Sequence, residues 1–203
     1  VSHAINCFAI ESFMDELAAA AGRDPYEFRR GLLGGKPRHR RVLEEAARRA
    51  AWGTVPSGHF QGIALMEGYT TVLAQVAEIS IDGGELRIHR IACAVDCGQM
   101  VNPKIIESQI EGGILFGLSA ALWGDIRIAA GRVQQSNFHN YRVLRCNEIP
   151  KIDVHLLASD ELPGGIGEPA VALVAPAVCN AIFAATGRRL RSLPIGAQRL
   201  TRA

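Results

Sequence analysis

The sequence has almost no net charge. Its 22 lysines and arginines nearly cancel its 20 aspartates and glutamates, leaving +2 at neutral pH. No general field therefore draws it to nucleic acid or to an anionic membrane. Aromatic residues are scarce, at 6%, and none interleaves with the arginines of residues 38–49 as a base-stacking platform requires. The five cysteines, Cys7, Cys93, Cys97, Cys146 and Cys179, are odd in number and scattered along a chain long enough to do without staples. That argues against a disulfide framework. Long apolar runs are missing as well. The longest nearly uncharged stretch, residues 110–123, is interrupted by Glu111, three glycines and a serine, and is too short to span a bilayer. The opening does not read as a secretory or transit segment. VSHAINCF, with valine first, reads like the interior of a polypeptide, so the chain is expected to be a piece of a larger one.

Residue types that could carry familiar chemistry are also thin. Cys93 and Cys97 share a face of an expected strand, but no second pair or nearby histidine completes a zinc set, and buried thiols are the simpler reading. The six histidines stand apart from one another, and no metal is expected to be held by side chains of this segment. There is no Gly-x-Ser-x-Gly elbow, and no serine lies in a setting that suggests a hydrolase triad.

What is present is a core-forming chain, 48% hydrophobic over 203 residues, enough for one domain or two small ones. Residues 1–53 read as a helical segment and residues 54–203 as an α+β domain. In the first, Ile10, Phe13, Met14, Leu17 and Ala21 recur at helical spacing and are expected to face a core, with Gly22 as a stop. Asp24 and Pro25 open a second helix. A third, over residues 38–51, sets Val42, Leu43, Ala46, Ala47 and Ala50 against arginines read as a solvated face, with phosphate binding as the alternative. In the second segment, residues 70–81 and 86–95 form a long hairpin around Asp82-Gly83-Gly84. Asn102-Pro103 opens a helix to about Leu122, a short hairpin surrounds Gly131, and residues 152–158 alternate as a strand. A last helix ends at Thr186-Gly187, starting at Pro169 or, more convincingly, at Pro176. This order predicts an α+β fold, a two-layer sandwich of mixed β-sheet and helices with an N-terminal helical segment.

Two features resist a purely structural account. The loop PGGIGEP, residues 163–169, delivers Glu168 after Gly164, Gly165 and Gly167, where local rules would choose Ser or Asp as a helix cap. Glycine-rich backbone can approach a ligand closely, and a carboxylate there suits a general base, although an ordinary turn with a solvated glutamate fits the loop alone. The helix after Asn102 carries Gly112, Gly113 and Gly117, and each interior glycine costs roughly 1 kcal/mol against alanine. Close approach of another helix is the reading favoured by composition, and a bound cofactor near Gln109 and Glu111 is the other.

Several separated motifs then point the same way. CAVDCGQMVNPKIIESQIEGGILFGLSAALWGDI, QSNFHNYRVLR, PGGIGEP and APAVCNAIFAATGRRLRSLP, with the opening INCFAIESFMDELAAAAGRDPYEFR, resemble the C-terminal part of the molybdenum-binding large subunit of isoquinoline 1-oxidoreductase and related membrane-type aldehyde dehydrogenases, in the xanthine dehydrogenase superfamily. The resemblance implies a molybdenum hydroxylase acting on an N-heteroaromatic or aldehyde, with molybdopterin, usually the cytosine dinucleotide, as cofactor. It implies Glu168 as the general base and Gln109 as a contact to the pterin. It turns Gly112 and Gly113 into space for that cofactor, with Gly164, Gly165 and Gly167 lending N–H groups or clearance. It further implies partners: the rest of the large subunit, a small subunit with two [2Fe–2S] clusters, and a small-molecule substrate. Related proteins occur both in the cytoplasm and in exported, membrane-associated complexes. After Gly-Glu-Pro the family continues with a Gly-Thr-Pro-Pro-like run, where this chain has Ala170-Val171-Ala172-Leu173. A non-catalytic scaffold or docking segment of such a complex is the alternative function, and a small autonomous nucleotide-binding domain a third.

Overall fold

The computed structural model describes residues 2–201. In chain order its elements are α1 (Ser2–Ala20), α2 (Pro25–Leu32), α3 (Pro37–Arg49), β1 (His59–Gly68), β2 (Thr71–Asp82), β3 (Glu85–Asp96), α4 (Pro103–Trp123), β4 (Ile128–Ala129), β5 (Arg132–Val133), β6 (Lys151–Leu156) and α5 (Pro169–Thr186). The α+β class is as expected. The main sheet runs β1-β2-β3-β6, antiparallel except for the parallel β3/β6 pair, while β4 and β5 form a separate hairpin.

The caps follow local chemistry. Asp24 Oδ1 accepts from the N–H groups of Tyr26 and Glu27 at 2.9 Å, and Asn102 Oδ1 accepts from that of Ile105 at 3.2 Å, each with proline at the first helical position. Gly187, at φ 73°, ends α5.

Alternation along the central strands divides the interior in two. Leu73, Ala77 and Ile79 of β2, with Ile91, Cys93 and Val95 of β3, pack beneath α4 and α5. Val72, Ala74 and Val76, with Ala92 and Ala94, pack on Val42, Leu43, Ala46 and Ala47 of α3, so α3 covers the other face, whereas α1 packs against α5 and places Cys7 in the first core. By length and apolarity α4 and α5 could each cross a membrane, and here α5 is largely buried as the central core helix. Burial pushes the Cys93 and Cys179 thiols up to about 12.

Several expectations change. Strand β1 was not expected, because HFQGIALMEG carries glycines and a methionine rather than a β-branched run. The last helix begins at Pro169, and Pro176 lies inside it. Strand β6 stops at Leu156 instead of reaching Ala158. The apolar stripe of α1 faces outward, with Ile10 59% and Phe13 58% exposed, while Glu11 and Asp15 are buried. The reason is arginine pairing: Arg29 Nε lies 2.9 Å from Glu11 Oε2, and Arg189 Nη1 lies 2.7 Å from Asp15 Oδ2. Nor is the arginine face of α3 wholly solvated. Arg38 Nη2 and Arg41 Nη2 bond the buried Asp96 carboxylate at 3.0 and 2.7 Å, and the Gly98 N–H adds a third donor at 3.1 Å. Burial alone would raise the Asp96 pKa, but Arg38, Gly98 and Arg41 outweigh it and hold the carboxyl below its ordinary range.

Asp96→Asn is therefore expected to cost about 2–3 kcal/mol in urea unfolding at pH 7, since it leaves two guanidinium groups without their counter-charge. Because the folded-state pKa is depressed, this contribution is present above the ordinary carboxylate pKa of about 4 and is lost as the pH falls through the lower folded value. Wild type and variant should converge in strong acid.

Candidate functional site

The glycine-rich loop is stitched to the sheet before it delivers its glutamate. Leu157 N–H donates to Val95 O at 2.8 Å, Gln99 N–H to Glu161 O at 2.9 Å, and Gly164 N–H to Cys97 O at 2.8 Å. Gly165 N–H then donates to Tyr69 O at 2.8 Å, in the turn between β1 and β2. The N–H groups of Gly164 and Gly165 thus serve loop placement. A Cβ at residue 164 would lie 2.5 Å from Thr71 Oγ1, so clearance is their second contribution.

Glu168 stands at the N-cap of α5 without capping it through its side chain. Its Oε1 accepts from the Tyr69 hydroxyl, and that bond, before a smaller effect of burial, pushes the Tyr69 phenol above its ordinary pKa. On α4, Gln109 Nε2 donates to Gly167 O at 2.8 Å and ties this helix to the loop.

The helix glycines divide between the two readings. Beside α5, a Cβ at Gly113 would sit 3.1 Å from Ala170 Cβ, and one at Gly117 2.8 Å from Val174 Cγ2 and 2.9 Å from Val171 O. Both therefore serve helix packing. The Ala170–Val174 stretch forms the first turns of α5 and is the surface they pack against. Gly112 is different, because a Cβ there meets nothing within 4 Å among the described residues. It borders a cavity of about 380 Å³ also lined by His3, Gln109, Gly113, Phe116 and Glu168. Gly167 lines it too, whereas Gly164 and Gly165 lie away from it along the loop. A larger hollow, about 710 Å³, lies elsewhere, against Arg87, His89, Trp123 and Arg142, and contains none of the expected site residues.

Tyr69, His3 and Phe116 complete the site and were missed by sequence reasoning. Tyr69 had no local signal, since its role depends on the unexpected β1. The histidines are not all isolated: His59 and His89 stack at 4.1 Å across β2, with Glu78 and Ser80 as partners, again because β1 exists. Among the described residues no group of three or more His, Cys, Asp or Glu is arranged to hold a metal.

Residues 7–150 match the family of molybdopterin cofactor-binding domains, and the chain belongs to that family. The beta chain of isoquinoline 1-oxidoreductase from Brevundimonas diminuta is 37% identical over 194 residues, covering 93% of this chain and 25% of that protein. A nicotinate dehydrogenase component of Pseudomonas putida is 36% identical, covering 98% of this chain and 18% of that one. The chain thus spans about a quarter or less of the length of these relatives. Among solved structures, the aldehyde oxidoreductase of Desulfovibrio gigas shares the fold at a TM-score of 0.70, covering 95% of this chain and 40% of that one at 14% identity.

Proposed function

We propose that the chain is the C-terminal cofactor-binding portion of a molybdenum hydroxylase that oxidises an N-heteroaromatic or aldehyde substrate at an electron-poor carbon. The observation that carries this reading is the single cavity shared by Gln109, Gly112, Gly113, Gly167 and Glu168. The residues fit the group. Gly112 leaves the cavity floor open, and the site offers an amide and a carboxylate on rigid elements without a protein metal-ligand set among the described residues. Gln109 and Gly112 would hold the pterin. Bound there, molybdopterin, as its cytosine dinucleotide, supplies the redox and oxygen-transfer chemistry. Glu168 accepts the proton that hydroxylation releases, with one carboxylate oxygen held by Tyr69. The apolar face of α1, Ile10, Phe13 and Leu17, is a surface for the rest of a larger subunit to cover. A small subunit with [2Fe–2S] clusters takes the electrons onward. In this reading the chain by itself is inactive, because the rest of the pocket comes from elsewhere.

Gly112→Leu tests the cavity. The side chain would enter open space and gain helix propensity, so the melting temperature should hold. Molybdenum and pterin content of the complete complex should fall roughly tenfold or more, equivalent to about 1.4 kcal/mol of lost affinity. Full loading of the variant would remove cofactor binding from this cavity.

A further inference from the structure

We propose that Tyr69 is the positioning residue for Glu168, fixing its carboxylate at the cavity through the two-residue turn between β1 and β2. The inference rests on the reading of Glu168 as the base. Two-residue hairpin turns of this kind need positive φ at both central residues and favour Asn-Gly or similar pairs. Here the positions hold Tyr69 at φ 56° and Thr70 at φ 63°. A β-branched residue in that region is a true outlier, and strain of this type, on the order of 1–3 kcal/mol, persists only where surrounding contacts over-determine it.

The contacts that over-determine it all converge on the tyrosine. Its carbonyl accepts from the Gly165 N–H at 2.8 Å, and its hydroxyl donates to Glu168 Oε1, so one residue grips the loop at two points. A Cβ at residue 165 would lie 2.9 Å from Tyr69 Cβ, so the loop passes the ring closely because residue 165 is glycine. On another side the His3 ring of α1 packs edge-on against the Tyr69 ring, with centroids 4.9 Å apart. Turn, loop and α1 therefore fix the ring, and the ring fixes the carboxylate. Asn-Gly would make a more relaxed turn but could not reach Glu168. Among the described residues, the titratable groups that meet here are Tyr69 on the turn, His3 on α1 and Glu168 on α5.

Hydrogen bonding to a carboxylate favours its charged form, and the same coupling acts on both partners. Tyr69→Phe keeps the ring, the turn and the His3 packing and removes only the hydroxyl. In the complete cofactor-loaded complex, kcat should fall on the order of tenfold with KM within about twofold, as expected when a reacting group loses its orientation. The acid limb of kcat/KM should move to higher pH. An unmoved limb overturns the proposal. A second readout needs neither cofactor nor turnover. In an absorbance titration of the chain, whose tyrosines are Tyr26, Tyr69 and Tyr141, Glu168→Ala, which removes the acceptor altogether, should bring one raised phenol down toward its ordinary range. An unchanged phenol titration also overturns the pairing. The two ideas fail separately: an active Glu168→Gln enzyme would end the general-base reading, and the phenol shift would still report the pair.

Discussion

Glu168→Gln is expected to lower turnover of the complete enzyme about a thousandfold at unchanged molybdenum content, within the range that loss of a positioned general base produces. The substitution is nearly isosteric. The amide oxygen still accepts from the Tyr69 hydroxyl, and the residue makes no side-chain cap to α5 that could be lost. Loop stitching comes from the backbone of Leu157, Gln99, Gly164 and Gly165, none of which is touched. Fold, cavity and cofactor loading should therefore survive while the proton acceptor disappears. The measurement is kcat per molybdenum, with the melting temperature as control. Turnover within about tenfold of wild type would place the base elsewhere.

The second large effect concerns Gly62, far from any chemistry. A Cβ there would lie 2.2 Å from Ala181 N, 2.3 Å from Ala177 O and 2.8 Å from Asn180 C, all backbone atoms of α5. Neither partner can yield cheaply. Strand β1 is held in full antiparallel register with β2, and Asn180 Nδ2 ties α5 to Ile63 O at 3.1 Å. Overpacking against a side chain costs about 1–3 kcal/mol, and backbone on both sides leaves no rotamer to absorb it. Gly62→Ala is expected to lose about 4 kcal/mol, among the exceptional single-residue effects. A urea midpoint within error of wild type would mean that α5 can lift off β1 without penalty.

Much of the local structure could be read from residue chemistry. Asp24 and Asn102 cap because a short side chain can reach nearby N–H groups before proline. The 70–95 hairpin follows from β-branched residues around a glycine turn, and Gly164, Gly165, Gly167 and Glu168 stood out because glutamate is an odd choice beside a helix start. The α4 glycines were legible as a demand for space, but not as two kinds of space. Gly113 and Gly117 meet α5, while Gly112 borders the cavity. Helical periodicity misled at α1, because it counts apolar residues without knowing that Arg29 and Arg189 would neutralise Glu11 and Asp15 in the interior.

The sequence by itself determined the element types apart from β1, the capping residues Asp24 and Asn102, the family likeness and the presence of an anomalous glutamate, all of which depend on residues close together in the chain. The tertiary structure alone decided that Asp96 draws Arg38 and Arg41 inward, that α1 turns its apolar stripe outward, and that Tyr69 reaches Glu168, 99 positions away. Each of these hinges on a partner brought near by the sheet, and burial fixes what a charge or hydroxyl must then find. Spacing along the chain carries no record of that partner.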